Sequence, residues 1–215
     1  MEETLQLLRT AREQGFTGMI ATPHYHPGRY LVDSRTVLDK VSEVRRECEK
    51  YGIDIQIYPG QECYWYTGLI DALESGDALT MNHSRYVLVE FEPVTIYSTI
   101  LSAVSSLIRN GYQVIIAHFE RYECLNGRQD RLEELHNEGA YLQLNFDCLL
   151  HRDSLFRKNP WRRLLQEGTV DFLGSDTHGM HFRPLHADAA FEWMTEHVEE
   201  QVLWKVLVNN PSLLL

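Results

Sequence analysis

The sequence predicts an α/β fold in which a parallel sheet is covered by helices on both faces. Three observations predict it. Stretches with helical periodicity alternate with short apolar stretches, a glycine follows most of those helices, and the strands are apolar throughout rather than alternating. Glycine suits the end of a helix because it takes the left-handed conformation without steric cost. Nothing linker-like or low in complexity divides the 215 residues, so a single domain over 1–215 is expected.

The first helix is expected over 5–14, closed by Gly15 and followed by a strand over 18–24 that ends in His24. The second runs over 34–51, then Gly52 and a strand over 54–58, with Glu62 just beyond. A short helix and a loop through Asn82 and His83 lead to a strand over 86–90 that ends in Glu90. Next come a helix over 95–110, Gly111 and a strand over 114–118 that ends in His118. A helix over 131–138, Gly139 and a strand over 141–145 follow. The last unit is a helix over 161–167, Gly168 and a strand over 170–176 with Asp176 at its tip. That gives six strands and about seven helices. Sheets of this kind bind ligands beyond the C-terminal ends of their strands, and the polar tips lie there.

Composition narrows the chemistry. A formal charge of −11 argues against wholesale binding of nucleic acid or an anionic membrane, since phosphate backbones need a basic face. A phosphorylated substrate stays compatible, because carboxylates that hold metal ions present positive charge to a ligand. Cys48, Cys63, Cys124 and Cys148 are widely spaced without a C-x-x-C pair, which speaks against a zinc ribbon or disulfide scaffold and for a reducing cytoplasm. No apolar run reaches transmembrane length, and Met1-Glu2-Glu3-Thr4 has neither a basic nor an apolar export segment. A cytoplasmic protein without membrane insertion is expected.

Five strands end in or beside a metal ligand: His24, Glu62, Glu90, His118 and Asp176, with His178 two residues after Asp176. Each has an ordinary explanation alone. His118 could be a hydrogen-bonded core histidine, Glu90 could face solvent, Asp176 could cap a turn and His24 could merely end a strand. Together they are harder to dismiss, because a charge at the end of a buried strand is costly unless paired or metal-bound. No matching supply of Lys or Arg is expected at those tips. Mixed imidazole and carboxylate donors suit Mn, Zn, Fe or Mg. Arg121 and Arg183 follow these ligands closely in sequence and suit a bidentate grip on phosphate, against the ordinary reading of a surface salt bridge. No cysteine phosphatase loop, P-loop or G-x-S-x-G is present, so a metal-activated water is the nucleophile the sequence offers a hydrolase.

The blocks Ala-Thr-Pro-His24, Gly-Gln-Glu62, Val-Glu90-Phe, Ile-Ala-His118-Phe-Glu-Arg121-Tyr and Gly-Ser-Asp176-Thr-His178 resemble the polymerase-and-histidinol-phosphatase (PHP) superfamily. They are most similar to its bacterial protein-tyrosine phosphatase branch, found in capsule and exopolysaccharide operons. The resemblance implies a distorted TIM-like (β/α)7 barrel of the PHP type and divalent metal ions, usually manganese and up to three of them. It implies that Glu62 bridges two metals, that Asp176 serves the first, Glu90 and His118 the second, and His24 and His178 the third. Arg121 and Arg183, with Asp176, would be the catalytic residues, the arginines holding the phosphate. The implied substrate is phosphotyrosine on the tail of a bacterial tyrosine kinase that controls polysaccharide export. The alternatives are a small-molecule phosphatase such as histidinol phosphatase, or a catalytically impaired kinase-binding module. The family's opening strand, which carries His-x-His, has no counterpart in these residues. An N-terminally incomplete domain lacking its first strand, with fewer metals and feeble hydrolysis, is therefore expected.

Overall fold

The computed structural model of the chain describes residues 1–151 and 158–215. The order is α1 (Glu2–Glu13), β1 (Gly18–Ala21), β2 (His24–His26), β3 (Tyr30–Leu31), α2 (Ser34–Tyr51), β4 (Gln56–Pro59), β5 (Glu62–Tyr64) and α3 (Leu69–Ser75). Then follow β6 (Tyr86–Glu90), α4 (Tyr97–Arg109), β7 (Gln113–Ile116), α5 (Gln129–Glu138), β8 (Tyr141–Asn145), α6 (Asp147–Leu150), α7 (Pro160–Gln166) and β9 (Phe172–Gly174). The chain ends with α8 (Ala187–His197), α9 (Glu200–Trp204), a π-helical turn over Lys205–Asn209 and α10 (Asn210–Ser212). No helix among the described residues is long and apolar enough to cross a membrane.

The chain divides into two compact units, Met1–Val87 with Asp176–Leu185, and Leu88–Ser175 with His186–Leu215. In the first, α1 buries Leu5, Leu8 and Ala11, while α2 buries Val37, Val41 and Cys48. Asp33 caps α2 by accepting the Thr36 N–H at 2.8 Å, and Gly52 closes it at φ +65°, as its sequence position predicts. The strands depart from expectation in an informative way. The strand expected over 18–24 stops at Ala21 and a second strand, β2, begins at His24; the strand expected over 54–58 runs as β4 over Gln56–Pro59, and a further strand, β5, begins at Glu62. Pro23 offers no N–H to a ladder and breaks the first. The second breaks at the matching place, Gly60-Gln61. A side chain at Gly60 would meet Ile20 and Met81 at 3.0 Å, so glycine fits there without displacing either neighbour. The paired breaks give two ladders. In one β1 lies parallel to β4, with Ala21 opposite Pro59. In the other β2 lies parallel to β5, with His24 opposite Glu62, and β3 lies antiparallel on its outer side.

In the second unit the strand order is β6-β7-β8-β9, with β7, β8 and β9 running parallel. Helix α4 buries Ile100, Ala103, Val104 and Leu107, α5 buries Leu132 and Leu135, and β7 contributes Val114, Ile115 and Ile116 to the same core. The expected strands over 114–118 and 170–176 stop short, at Ile116 and Gly174. Their polar tips lie beyond the ladder, His118 in a turn and Asp176 in irregular chain. Parallel strands alternating with helices are present as predicted, and the strand count among the described residues is nine rather than six.

A buried charge network ties the end of this unit together. Asp171 accepts hydrogen bonds of 2.8 Å from the Leu142 N–H and from the His136 ring, and lies 2.8 Å from Lys205 Nζ in the π-helical turn. Lys205 also donates to the Gly168 carbonyl at 2.8 Å. Burial pushes the Asp171 carboxyl up, but the hydrogen bonds from His136, Lys205 and Leu142 outweigh it and hold the group below its ordinary range. A carboxyl with a depressed folded pKa adds stability above its unfolded value of about 3.9, and that stability is lost as pH falls through the folded value. Asp171→Ala is expected to cost about 2 kcal/mol at neutral pH, since it leaves the buried Leu142 N–H without its acceptor and the half-buried His136 and Lys205 without their carboxylate. It should also flatten the acid side of the stability curve. Chemical denaturation between pH 3 and 7 checks this, and a loss under about 1 kcal/mol would reduce the network to an ordinary surface pair.

Candidate functional site

In the first unit the register pairing of β2 with β5 places His24 directly across from Glu62. His24 Nδ1 stands 3.5 Å from Glu62 Oε2, so the two offer donor atoms within 4.8 Å of each other. Glu62 is buried at 6% exposure, and its neighbour Gln61 is fully buried. Gln61 fixes the start of β5 from both ends of its amide, donating to the Val32 carbonyl at 2.7 Å and accepting the Leu79 N–H at 2.9 Å. The sequence reading gave Gln61 no role. Its place in Gly-Gln-Glu, immediately before Glu62, is the available signal.

The Asp176–Leu185 segment completes this group. A side chain at Gly174 would displace the end of the Gln143 side chain, so glycine leaves that amide in place before Asp176. Asp176 itself takes φ +46° and Arg183 φ +47°, both unusual for non-glycine residues. The segment is closed on itself, because the Arg183 carbonyl accepts from the His178 N–H at 3.1 Å and from Thr177 Oγ1 at 2.9 Å. Glu3 of α1 anchors it by accepting the Met180 N–H at 2.9 Å. His178 Nδ1 lies 2.8 Å from the Asp176 carbonyl. A carbonyl only accepts, so Nδ1 carries the proton and Nε2 keeps its lone pair. The rings of His178 and His24 are 6.1 Å apart, centroid to centroid.

Arg183 corrects one expectation. A strand-tip carboxylate was expected to lack a cation, yet Arg183 Nη1 donates to Asp176 Oδ2 at 3.0 Å. Among the described residues its other guanidinium N–H groups have no acceptor, so the side chain can also serve an anion. The arginine expected to meet phosphate therefore also orients Asp176.

In the second unit Glu90 ends β6, and His118 stands beyond β7 at φ +32°. His118 Nε2 is 3.6 Å from Glu90 Oε2, with side-chain exposures of 6% and 16%. The turn that carries His118 is held by Tyr122, a fully buried residue the sequence reading quoted but did not assign. Its hydroxyl donates to the Ala117 carbonyl at 2.9 Å and accepts the Phe91 N–H at 3.1 Å. Phe119–Arg121 forms a 3-10 turn, whose Arg121 N–H returns to the His118 carbonyl at 3.0 Å. Burial pushes the Glu120 carboxyl up. Burial also pushes the thiols of Cys48, Cys124 and Cys148 up, which leaves them protonated and poor nucleophiles near neutral pH.

These donor sets fit divalent metal. The His24–Glu62 and His118–Glu90 separations of 3.5 and 3.6 Å exceed a charge-assisted hydrogen bond of about 2.7–2.9 Å. They lie at, and 0.1 Å above, the upper end of the distance between two donors that each lie about 2.1 Å from one ion, roughly 3.0–3.5 Å. His136 and Asp171, at 2.8 Å, show what a plain His–carboxylate hydrogen bond looks like in the same molecule.

A profile of the family described as capsular polysaccharide synthesis, CpsB/CapC, matches residues 1–215. The tyrosine-protein phosphatase CpsB of Streptococcus pneumoniae is 27% identical over 215 residues, covering 98% of this chain and 88% of its own. The tyrosine-protein phosphatase YwqE of Bacillus subtilis is 27% identical over 215 residues, covering 99% and 84%. A solved structure from the pair YwqE and CpsB, described as unique metal-dependent tyrosine phosphatases, superposes with a TM-score of 0.86 at 26% identity. That match covers 99% of this chain and 86% of the other. The same α/β fold is thus shared with metal-dependent phosphatases, as the resemblance implied.

Proposed function

The chain belongs to the capsular polysaccharide synthesis family CpsB/CapC, and from that premise we propose that it is a metal-dependent protein-tyrosine phosphatase. Its metal ligands in this reading are His24, Glu62, Asp176 and His178 of the first unit and Glu90 and His118 of the second, with manganese the favoured ion. The observation that carries the reading is the His24–Glu62 pair, set across from each other by strand register at the spacing of two donors to one ion. A bound divalent metal would supply a water acidified toward neutral pH and positive charge beside the phosphate.

The rest falls to the chain's own groups. His178 is held with its Nε2 lone pair available, and Glu62 is held by the strand that Gln61 pins. Arg183 has guanidinium N–H groups left over for phosphate oxygens once Asp176 is served, and Arg121 stands on the turn after His118. The substrate in this reading is phosphotyrosine on a bacterial tyrosine kinase that regulates capsular or exopolysaccharide synthesis, and the place of work is the cytoplasm.

The test uses a phosphotyrosine peptide and the whole chain. Chelation should abolish hydrolysis and added Mn should restore it, while alkylating the cysteines under native conditions should leave most of it intact. Loss on mild alkylation without unfolding would contradict a metal-based nucleophile.

A further inference from the structure

Four rings form a row in the first unit. Tyr30 lies against His24 with centroids 5.8 Å apart, His24 lies 6.1 Å from His178, and Phe182 meets His178 edge-on at 5.9 Å. The two inner rings are the imidazoles assigned to metal. The two outer rings are among the most exposed large apolar side chains of the protein, Tyr30 at 61% and Phe182 at 67%. Single exposed aromatics are ordinary on protein surfaces. These two differ because each packs on a ligand imidazole while leaving most of its own surface bare.

Both are also held in place. Tyr30 sits on the β2–β3 hairpin opposite His26, and the turn between the strands is closed by the Arg29 N–H on the His26 carbonyl at 3.0 Å. Phe182 carries the Arg183 guanidinium over its ring at 5.4 Å, within the segment that Asp176 and Arg183 close. A preformed apolar surface costs little ordering on binding, which is the condition for it to contribute selectivity.

We propose that Tyr30 and Phe182 are the specificity-determining residues that receive the aryl group of the substrate, so that the site selects phosphate esters of aromatic alcohols over alkyl ones. The proposal rests on the phosphatase reading given above. In an aryl phosphate one oxygen joins phosphorus to the ring. A phosphate seated at the imidazoles therefore brings its ring against the next ring in the row, at the separations of about 4.5–7 Å where aromatic pairs attract. Serine and threonine phosphates have no ring to offer. A flat aryl group laid against the exposed surface of Tyr30 or of Phe182 should gain roughly 3- to 10-fold in affinity for each aromatic ring it touches.

The test compares equilibrium binding of phenyl phosphate and methyl phosphate, which carry the same charged group, to the Mn-supplemented chain by calorimetry. Wild type should prefer phenyl phosphate by about tenfold or more. Tyr30→Ala combined with Phe182→Ala should bring the ratio below about threefold, while Tyr30→Phe, which keeps the ring, should preserve it. Both residues are exposed, so the variants should keep the wild-type far-ultraviolet spectrum. A wild-type ratio near one, a ratio that survives in the double variant, or binding of neither ester overturns the proposal. The phosphatase reading fails differently: through metal-independent binding, or through absence of hydrolysis while the aryl preference persists.

Discussion

Glu62→Gln is expected to lower phosphotyrosine hydrolysis by more than a hundredfold while leaving the fold intact. The substitution keeps shape and polarity but removes the charge that a divalent ion needs from its ligand. Losing only an outer partner of a metal ligand costs about 10- to 100-fold, so loss of the ligand's own charge should exceed that. Glu62 is buried, pairs in register with His24 and follows Gln61, whose amide is hydrogen-bonded at both its nitrogen and its oxygen. Little can move to replace it. The same variant should hold fewer metal equivalents than wild type after gel filtration. Hydrolysis within about threefold of wild type, with metal content unchanged, would remove Glu62 from the site.

The second large effect is expected at Arg183. Arg183→Lys should reduce turnover by roughly 10- to 100-fold, because two roles are lost together. The guanidinium orients Asp176 through a 3.0 Å hydrogen bond while keeping other N–H groups for phosphate, and an ammonium point charge cannot do both with the same geometry. The carbonyl of residue 183 would still accept from His178 and Thr177, so the closed segment should persist. Steady-state kinetics on a phosphotyrosine peptide read this directly. Unchanged kcat/KM would return Arg183 to a structural ion pair with Asp176.

The residues of the site were more legible in the sequence than the way they are presented. An apolar strand followed by His, Glu or Asp is a local pattern: Glu90 ends β6 and His118 stands two residues beyond β7, whereas His24 and Glu62 open the short strands β2 and β5. Glycines closing helices gave the punctuation, as Gly52 and Gly139 show at φ +65° and +101°. The paired breaks at Pro23 and Gly60-Gln61 were not legible, because a strand interruption has meaning only through its partner's register. Backbone strain was hidden too. Nothing in the sequence announces that His118, Asp176 and Arg183 take positive φ; the turn at His118 is held by the Tyr122 hydroxyl, and the 176–183 segment by its own closure. The partnership of Arg183 with Asp176 was missed for the same reason: seven residues separate them, and only the closed segment brings them together.

The measurement that bears most directly on the central claim is anomalous diffraction at the manganese edge from crystals of the Mn-loaded chain. Peaks should lie within about 2.0–2.3 Å of imidazole nitrogens and carboxylate oxygens of His24, Glu62, Glu90, His118, Asp176 and His178. Absence of any peak at those donors, in protein that still hydrolyses phosphotyrosine, would contradict it.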